Sequence, residues 1–191
     1  MSNVQYPISN EKKYISIRDW NEAGVVPNIL AELAIGDVAL VSDAGTPLLS
    51  DPGFKLVRAA RAAGFTISPI PGPFAGAAAL SAAGLPTNKF LFWGFLPKKW
   101  ELEPGITHVI YESPVRLSKT LDKIANKYPE AEIVIAQEMT KIYERFMNYD
   151  LRFKNEENRN RGEATILVFR RERGEEIATA HVDGNGKMQE R

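Results

Sequence analysis

The chain has 191 residues, 44% of them hydrophobic, with 24 basic and 24 acidic side chains and no cysteine. That length bounds it to one domain or two small ones, and the apolar share excludes a disordered chain. The lack of cysteine excludes disulfides, thiolate metal sites and cysteine nucleophiles, and the zero net charge leaves nucleic-acid recognition to a local patch.

In chain order, residues 1–13 are polar and lack the apolar centre of a signal peptide. No apolar run is long enough to cross a bilayer, so a cytoplasmic protein without a membrane partner is expected. Residues 21–34 carry Val25, Ile29, Leu30 and Leu33 at helical spacing. Residues 37–41 form a short apolar run of the kind buried in a parallel sheet. Asp51 and Pro52 read as the N-cap and first-turn proline of a helix that runs to residue 63 and stops at Gly64. Residues 65–70 read as the next strand, and a small-residue helix follows Pro73 and ends at Gly84. This alternation predicts an α/β domain with a mostly parallel sheet over residues 1–88.

A second α/β domain is expected over residues 89–173. Strands are predicted at 90–95, 108–111, 132–136 and 164–169, with a helix over 114–128 that puts Leu117, Leu121, Ile124 and Ala125 on one face. Residues 148–161 read as a charged loop, and 174–191 as a polar, frayed tail.

Two loops are candidates for ligand chemistry. The first, SDAGTPLLSDPG over 42–53, leaves a predicted strand and enters a helix. Ligands of open parallel sheets bind outside such strand ends. Gly45 lets backbone approach a ligand, and Asp43 and Thr46 offer hydrogen bonds. The second, PIPGPFAG over 69–76, is stiffened by three prolines and opens the small-residue helix. From the residues alone, the first loop reads equally well as an ordinary strand-to-helix turn, and the other reading of the second is a rigid connection with no ligand. His108 and His181 lack metal-ligand spacing; no metal is expected, and His108 on an apolar strand reads as a satisfied core residue.

The ordered segments SDAGTPLLSDPG, PIPGPFA, LPTNKFLFWGFLP, IYESPVRL, AQEMTKIYERF and RGEATILVF resemble the tetrapyrrole-methylase family, in its branch that methylates a ribose 2′-hydroxyl of small-subunit ribosomal RNA. The resemblance runs from about Tyr6 to Phe169. It implies two α/β domains with S-adenosylmethionine bound in the cleft between them, and methyl transfer to a cytidine 2′-oxygen. Carried over residue by residue, it implies Ala44, Gly45, Thr46, Leu49, Phe74, Ala75, Tyr111 and Met139 as cofactor-lining positions. It departs from the family in three places. Nothing before Tyr6 matches the family's opening strand and glycine loop, so a fragment or shortened relative with an exposed sheet edge is expected. Phe74 stands where a small serine is usual, and is expected to crowd the pocket. Residues 97–107 are shorter than usual.

Methyl transfer from a sulfonium is an in-line displacement, helped by positioning and by a general base for the weakly nucleophilic hydroxyl. Asp43 and Glu112 are the candidate bases; an ion pair with Arg116 is the other reading of Glu112. Lys98, Lys99, Trp100 and Arg116 are candidate RNA contacts. The expected partners are small-subunit RNA or the 30S particle and a second copy of the chain. The alternatives are C-methylation of a tetrapyrrole, and a non-catalytic relative that binds RNA or the ribosome.

Overall fold

A computed structural model describes residues 12–149, 162–172, 181–182 and 188–189. The chain divides into two compact units, Met1–Pro73 and Phe74–Arg191.

In the first unit, helix α1 (Glu22–Leu33) packs against helix α2 (Phe54–Ala62), burying Ile29 of one and Leu56 and Ala60 of the other. The start of α2 differs from the expectation. The N-cap is Gly53, not Asp51, and no side chain of that residue serves the free N–H groups. The buried carboxylate of Glu22 does so from α1, accepting from the backbone nitrogens of Gly53, Lys55 and Leu56 at 3.1, 2.7 and 3.3 Å. An anion at a helix start is favoured by the unpaired N–H groups and the helix dipole.

The strands expected at 37–41 and 65–70 are not strands here. Both segments are outside any helix or ladder, and Val41 and Ile70 are 78% and 80% exposed. A strand exists only through a neighbour that accepts its backbone hydrogen bonds, and no segment among the described residues of this unit pairs with either.

The second unit is a five-stranded mixed sheet covered on both faces. Its strands are β1 (Phe90–Phe95), β2 (Thr107–Glu112), β3 (Glu132–Gln137), β4 (Arg145–Asn148) and β5 (Ala164–Phe169), in the order β1-β2-β5-β3-β4. The pair β1–β2 is parallel and the others are antiparallel. All six residues of β5 are buried, which explains a sequence that is apolar except for Thr165: it is central and packed on both faces. Helix α3 (Ala75–Ala82) covers one face, with Ala79 and Leu80 against Val109, Val134, Ala136, Leu167 and Phe169. Helix α4 (Pro114–Lys127) covers the other, with Leu117, Leu121, Ile124 and Ala125 against Ile110, Ile133, Ile135, Ile166 and Val168. The unit therefore begins at Phe74, ahead of the division after residue 88 that the sequence suggested, because α3 packs on this sheet. Strand β4 was not anticipated. The expected loop at 148–161 lies outside the described residues except for Asn148, which ends β4, and Tyr149. In the tail, β6 (His181–Val182) pairs with β7 (Met188–Gln189), an order not expected of a frayed segment.

Candidate functional site

The two candidate loops meet within the first unit. Thr46 donates from its backbone nitrogen and its hydroxyl to the carbonyl of Pro73, at 3.0 and 3.1 Å. The junction leaves no room for side chains. Gly45 has φ +74, and a Cβ there would stand 3.0 Å from the same Pro73 oxygen; a Cβ on Gly72 would stand 3.2 Å from Thr46 Oγ1. Glycine is thus required at position 45 by both conformation and space. Ser42 reaches the carbonyls of Ala44 and Gly45 and holds the turn closed. Asp43 and Ala44 are exposed, and Asp43 has no hydrogen-bond or ion-pair partner among the described residues.

Four non-glycine residues have positive φ among the described residues, and they fall in just two loops. Leu48 and Ser50 flank Leu49 in the first loop, at 73° and 72°. Glu138 and Thr140 flank Met139 after β3, at 50° and 64°. Such conformations cost free energy and concentrate at ligand-holding loops. In both cases the central residue was singled out from the sequence, whereas the strained neighbours left no signal there. The loop after β3 is tied down by Glu138, whose carboxylate accepts from Glu163 N at 2.8 Å and pairs with Lys141.

In the second unit, Phe74, Ala75 and Tyr111 come together at the start of α3. Tyr111 accepts at its hydroxyl from Gly76 N at 3.3 Å. Phe92, not foreseen, bridges Phe74 and Tyr111 by two edge-on ring contacts of 5.0 Å. The Phe74 ring also folds over its own helix, so that a Cβ on Gly76 would lie 2.6 Å from Cζ of that ring. Met139 packs against the buried cluster beneath α3.

Glu112 is buried and already engaged. It accepts from Ser113 N at 2.7 Å, Arg116 Nε at 2.8 Å and Thr120 Oγ1 at 2.7 Å. Burial pushes its pKa up, but the donors of Thr120, Arg116 and Ser113 together outweigh it and hold the carboxyl below its ordinary value. A carboxylate so held is a weak proton acceptor and a strong anchor for the first turn of α4.

Lys98, Lys99 and Trp100 line one groove, together with Trp93, Glu101, Lys123, Asn126 and Lys127. Arg116 is not in it; its guanidinium pairs with Glu112 and sits 5.6 Å from the Phe95 ring centroid. His108 is a buried, doubly satisfied histidine. Trp93 Nε1 donates to its Nδ1 at 3.0 Å, so Nε2 carries the proton and donates to the carbonyl of Glu103 at 2.9 Å. No group of metal-ligating side chains occurs among the described residues. No helix among them is long and apolar enough to cross a membrane.

A five-stranded mixed sheet covered by helices on both faces defines the second unit as an α/β fold. The chain belongs to the tetrapyrrole (corrin/porphyrin) methylases, whose family model matches residues 5–152. It is 42% identical to the ribosomal RNA small subunit methyltransferase I of Xylella fastidiosa (strain Temecula1), over 83% of this chain and 64% of that protein. It is 40% identical to the Escherichia coli O157:H7 protein of the same name, over 82% of this chain and 60% of the relative. The chain thus spans somewhat less than two thirds of the length of these relatives. Among solved structures it is similar to the methyltransferase CobJ, with a TM-score of 0.53 at 22% identity, covering 76% of this chain and 70% of the other. It is also similar to uroporphyrin-III C-methyltransferase from Thermus thermophilus in complex with S-adenyl homocysteine, with a TM-score of 0.50 at 17% identity, covering 77% and 73%.

Proposed function

We propose that this chain is an S-adenosylmethionine-dependent methyltransferase acting on a cytidine 2′-hydroxyl of small-subunit ribosomal RNA. The observation that carries the reading is the Thr46–Pro73 junction: two glycine-bearing loops pinned together, bare of side chains and strained beside Leu49. The relatives named for small-subunit methylation support the RNA as substrate. The complex of the Thermus thermophilus structure supports the cofactor class.

The residues present fit such a donor. In the first unit, the exposed residues Ala44 and Gly45 offer backbone N–H groups that no hydrogen bond among the described residues occupies, whereas Thr46 is held on Pro73. In the second unit, taken by itself, Phe74, Ala75, Tyr111 and Met139 offer apolar and aromatic surface of a kind that suits the apolar parts of such a ligand. The cofactor supplies an electrophilic methyl group on sulfur. With the donor held there, a carboxylate of the chain would take the hydroxyl proton as the methyl moves from sulfur to oxygen. Asp43 suits that task, being exposed and without a partner among the described residues. Glu112 is the positioning residue: its three donors fix Ser113, Arg116 and Thr120 at the start of α4.

We place the reaction in the cytoplasm, on the 30S particle, by a homodimer. The apolar edge strand β1, with Phe90 and Phe95 half exposed, supports self-association. Calorimetric titration with S-adenosylmethionine, followed by transfer of labelled methyl to under-methylated small-subunit particles, tests the reading. Binding with a label mapped to a cytidine 2′-oxygen is expected. No binding would favour the non-catalytic alternative, and binding with transfer only to a tetrapyrrole would favour C-methylation.

A further inference from the structure

The groove beside α4 has a composition that the net charge of zero conceals. Its lining holds four lysines, two tryptophans, one asparagine and a single acid, Glu101. Glu101 is already met by Lys127 Nζ and the Tyr128 hydroxyl. Lys98, Lys99 and Lys123 are exposed and form no ion pair among the described residues. Lys119, also exposed, lies one helical turn before Lys123 and extends the positive stripe along α4. Among the described residues lining the groove, four lysines stand against one acid, an excess of three positive charges.

Both indoles are held in place. Trp93 is fixed through Nε1 to the buried His108. Trp100 has Lys127 Nζ 4.8 Å from its ring centroid, and the same ammonium donates to the Trp100 carbonyl at 3.0 Å. Aromatic rings fixed before binding lose little freedom when something stacks on them. Lysines that track a phosphate chain beside fixed aromatic rings are the chemistry of single-stranded nucleic-acid recognition, because only an unpaired base exposes its face.

We propose that this groove is a binding site for single-stranded RNA, with phosphates on Lys98, Lys99 and Lys123, bases against Trp93 and Trp100, and Asn126 facing the base edges. The naming of the polymer as RNA rests on the function proposed above; the groove's chemistry does not. The site admits an unpaired strand and discriminates against duplex, so the substrate of this chain is presented as an open, single-stranded segment.

Fluorescence anisotropy of a labelled single strand of about ten nucleotides tests this, with the full chain and a range of salt concentrations. The triple variant Lys98→Ala, Lys99→Ala, Lys123→Ala is expected to bind about tenfold or more weakly, with its log–log salt slope reduced by about 2. Trp100→Leu is expected to weaken binding on the order of tenfold while leaving the slope unchanged. Trp100→Phe, which keeps the packing against Tyr128, guards against a folding defect. The control variant Lys55→Ala, Arg58→Ala on α2 is expected to bind like the parent chain. Equal losses in the control, undiminished binding by the triple variant, duplex binding as tight as single-strand binding, or lysine-dependent capture of polyglutamate with RNA-like affinity would each overturn the proposal. Lysine-dependent RNA binding without methyl transfer would instead remove the proposed function and leave the groove standing. Methyl transfer with undiminished RNA binding by the triple variant would do the reverse.

Discussion

The Glu22 carboxylate accepts a 2.7 Å hydrogen bond from the backbone nitrogen of Lys55, 33 residues along the chain. Two further N–H groups share the same oxygen, so one side chain of α1 caps α2. Glu22→Ala leaves these donors unpaired beside a buried helix start and is expected to cost about 2–3 kcal/mol. Glu22→Gln keeps an acceptor and gives up the charge, with an expected cost of about 1 kcal/mol. Urea denaturation orders the three proteins. A Glu22→Ala protein as stable as the parent would show that the cap carries no weight.

Thr46 and Pro73 set the second prediction. Thr46→Val removes the hydroxyl donor and keeps the backbone bond, with an expected loss of about 1 kcal/mol. Gly45→Ala meets the Pro73 oxygen at 3.0 Å and forces an L-residue to φ +74. It is expected to lower S-adenosylmethionine affinity by about tenfold or more in calorimetry, with Thr46→Val falling between it and the parent.

Phe74 and Gly76 give a prediction of sign. Glycine to alanine inside a helix ordinarily stabilises by up to about 1 kcal/mol. Here the new Cβ would lie 2.6 Å from the Phe74 ring, so Gly76→Ala is expected to destabilise by about 1–2 kcal/mol. In a Phe74→Ala background the same change is expected to stabilise. Thermal unfolding of the four proteins of this cycle reads the coupling. Additive effects would exclude the contact.

His108 makes stability depend on pH. Burial lowers its pKa from the ordinary 6.5, partly opposed by the bond to the Glu103 carbonyl. The unfolded chain therefore takes the proton first as pH falls. The contribution is whole above about 6.5 and declines below it until the lowered folded value is passed. His108→Gln, which still accepts from Trp93, is expected to flatten the denaturation midpoint between about pH 7 and pH 5. Glu112 acts in a lower window. Its pKa is held below the ordinary 4.5, so its contribution is present above that value and is lost as pH falls through the folded one.

The two carboxylates separate kinetically. Asp43→Asn is expected to reduce kcat by about 100-fold or more, the ordinary worth of a general base. Glu112→Gln is expected to change kcat by less than about tenfold and to lower the unfolding midpoint, since its role is to anchor α4. The reverse pattern would exchange the two roles.

The helices and four of the five sheet strands of the second unit were legible because each is its own pattern: Leu117, Leu121 and Ile124 recur at helical spacing, and Ala164–Phe169 is a nearly all-apolar run broken only by Thr165. Strand β4 was not, since RFMN carries no alternation and is a strand only by pairing with β3. The runs at 37–41 and 65–70 had the composition of strands but, among the described residues, lack the partner that makes one. The loops around Gly45 and Phe74 were found as segments, while the Thr46–Pro73 bonds, the Phe92 bridge and the strain at Leu48 and Glu138 were not.

By itself, then, the sequence determined the family and the α/β class and singled out two glycine-bearing loops, because these depend on residue type and local order. Only the tertiary structure decided that Glu22 rather than Asp51 caps α2, that Glu112 is spoken for, and that Lys123 and Lys127 stand beside Lys98 and Trp100. Those facts are distances between residues far apart in the chain, and no periodicity along one dimension records them.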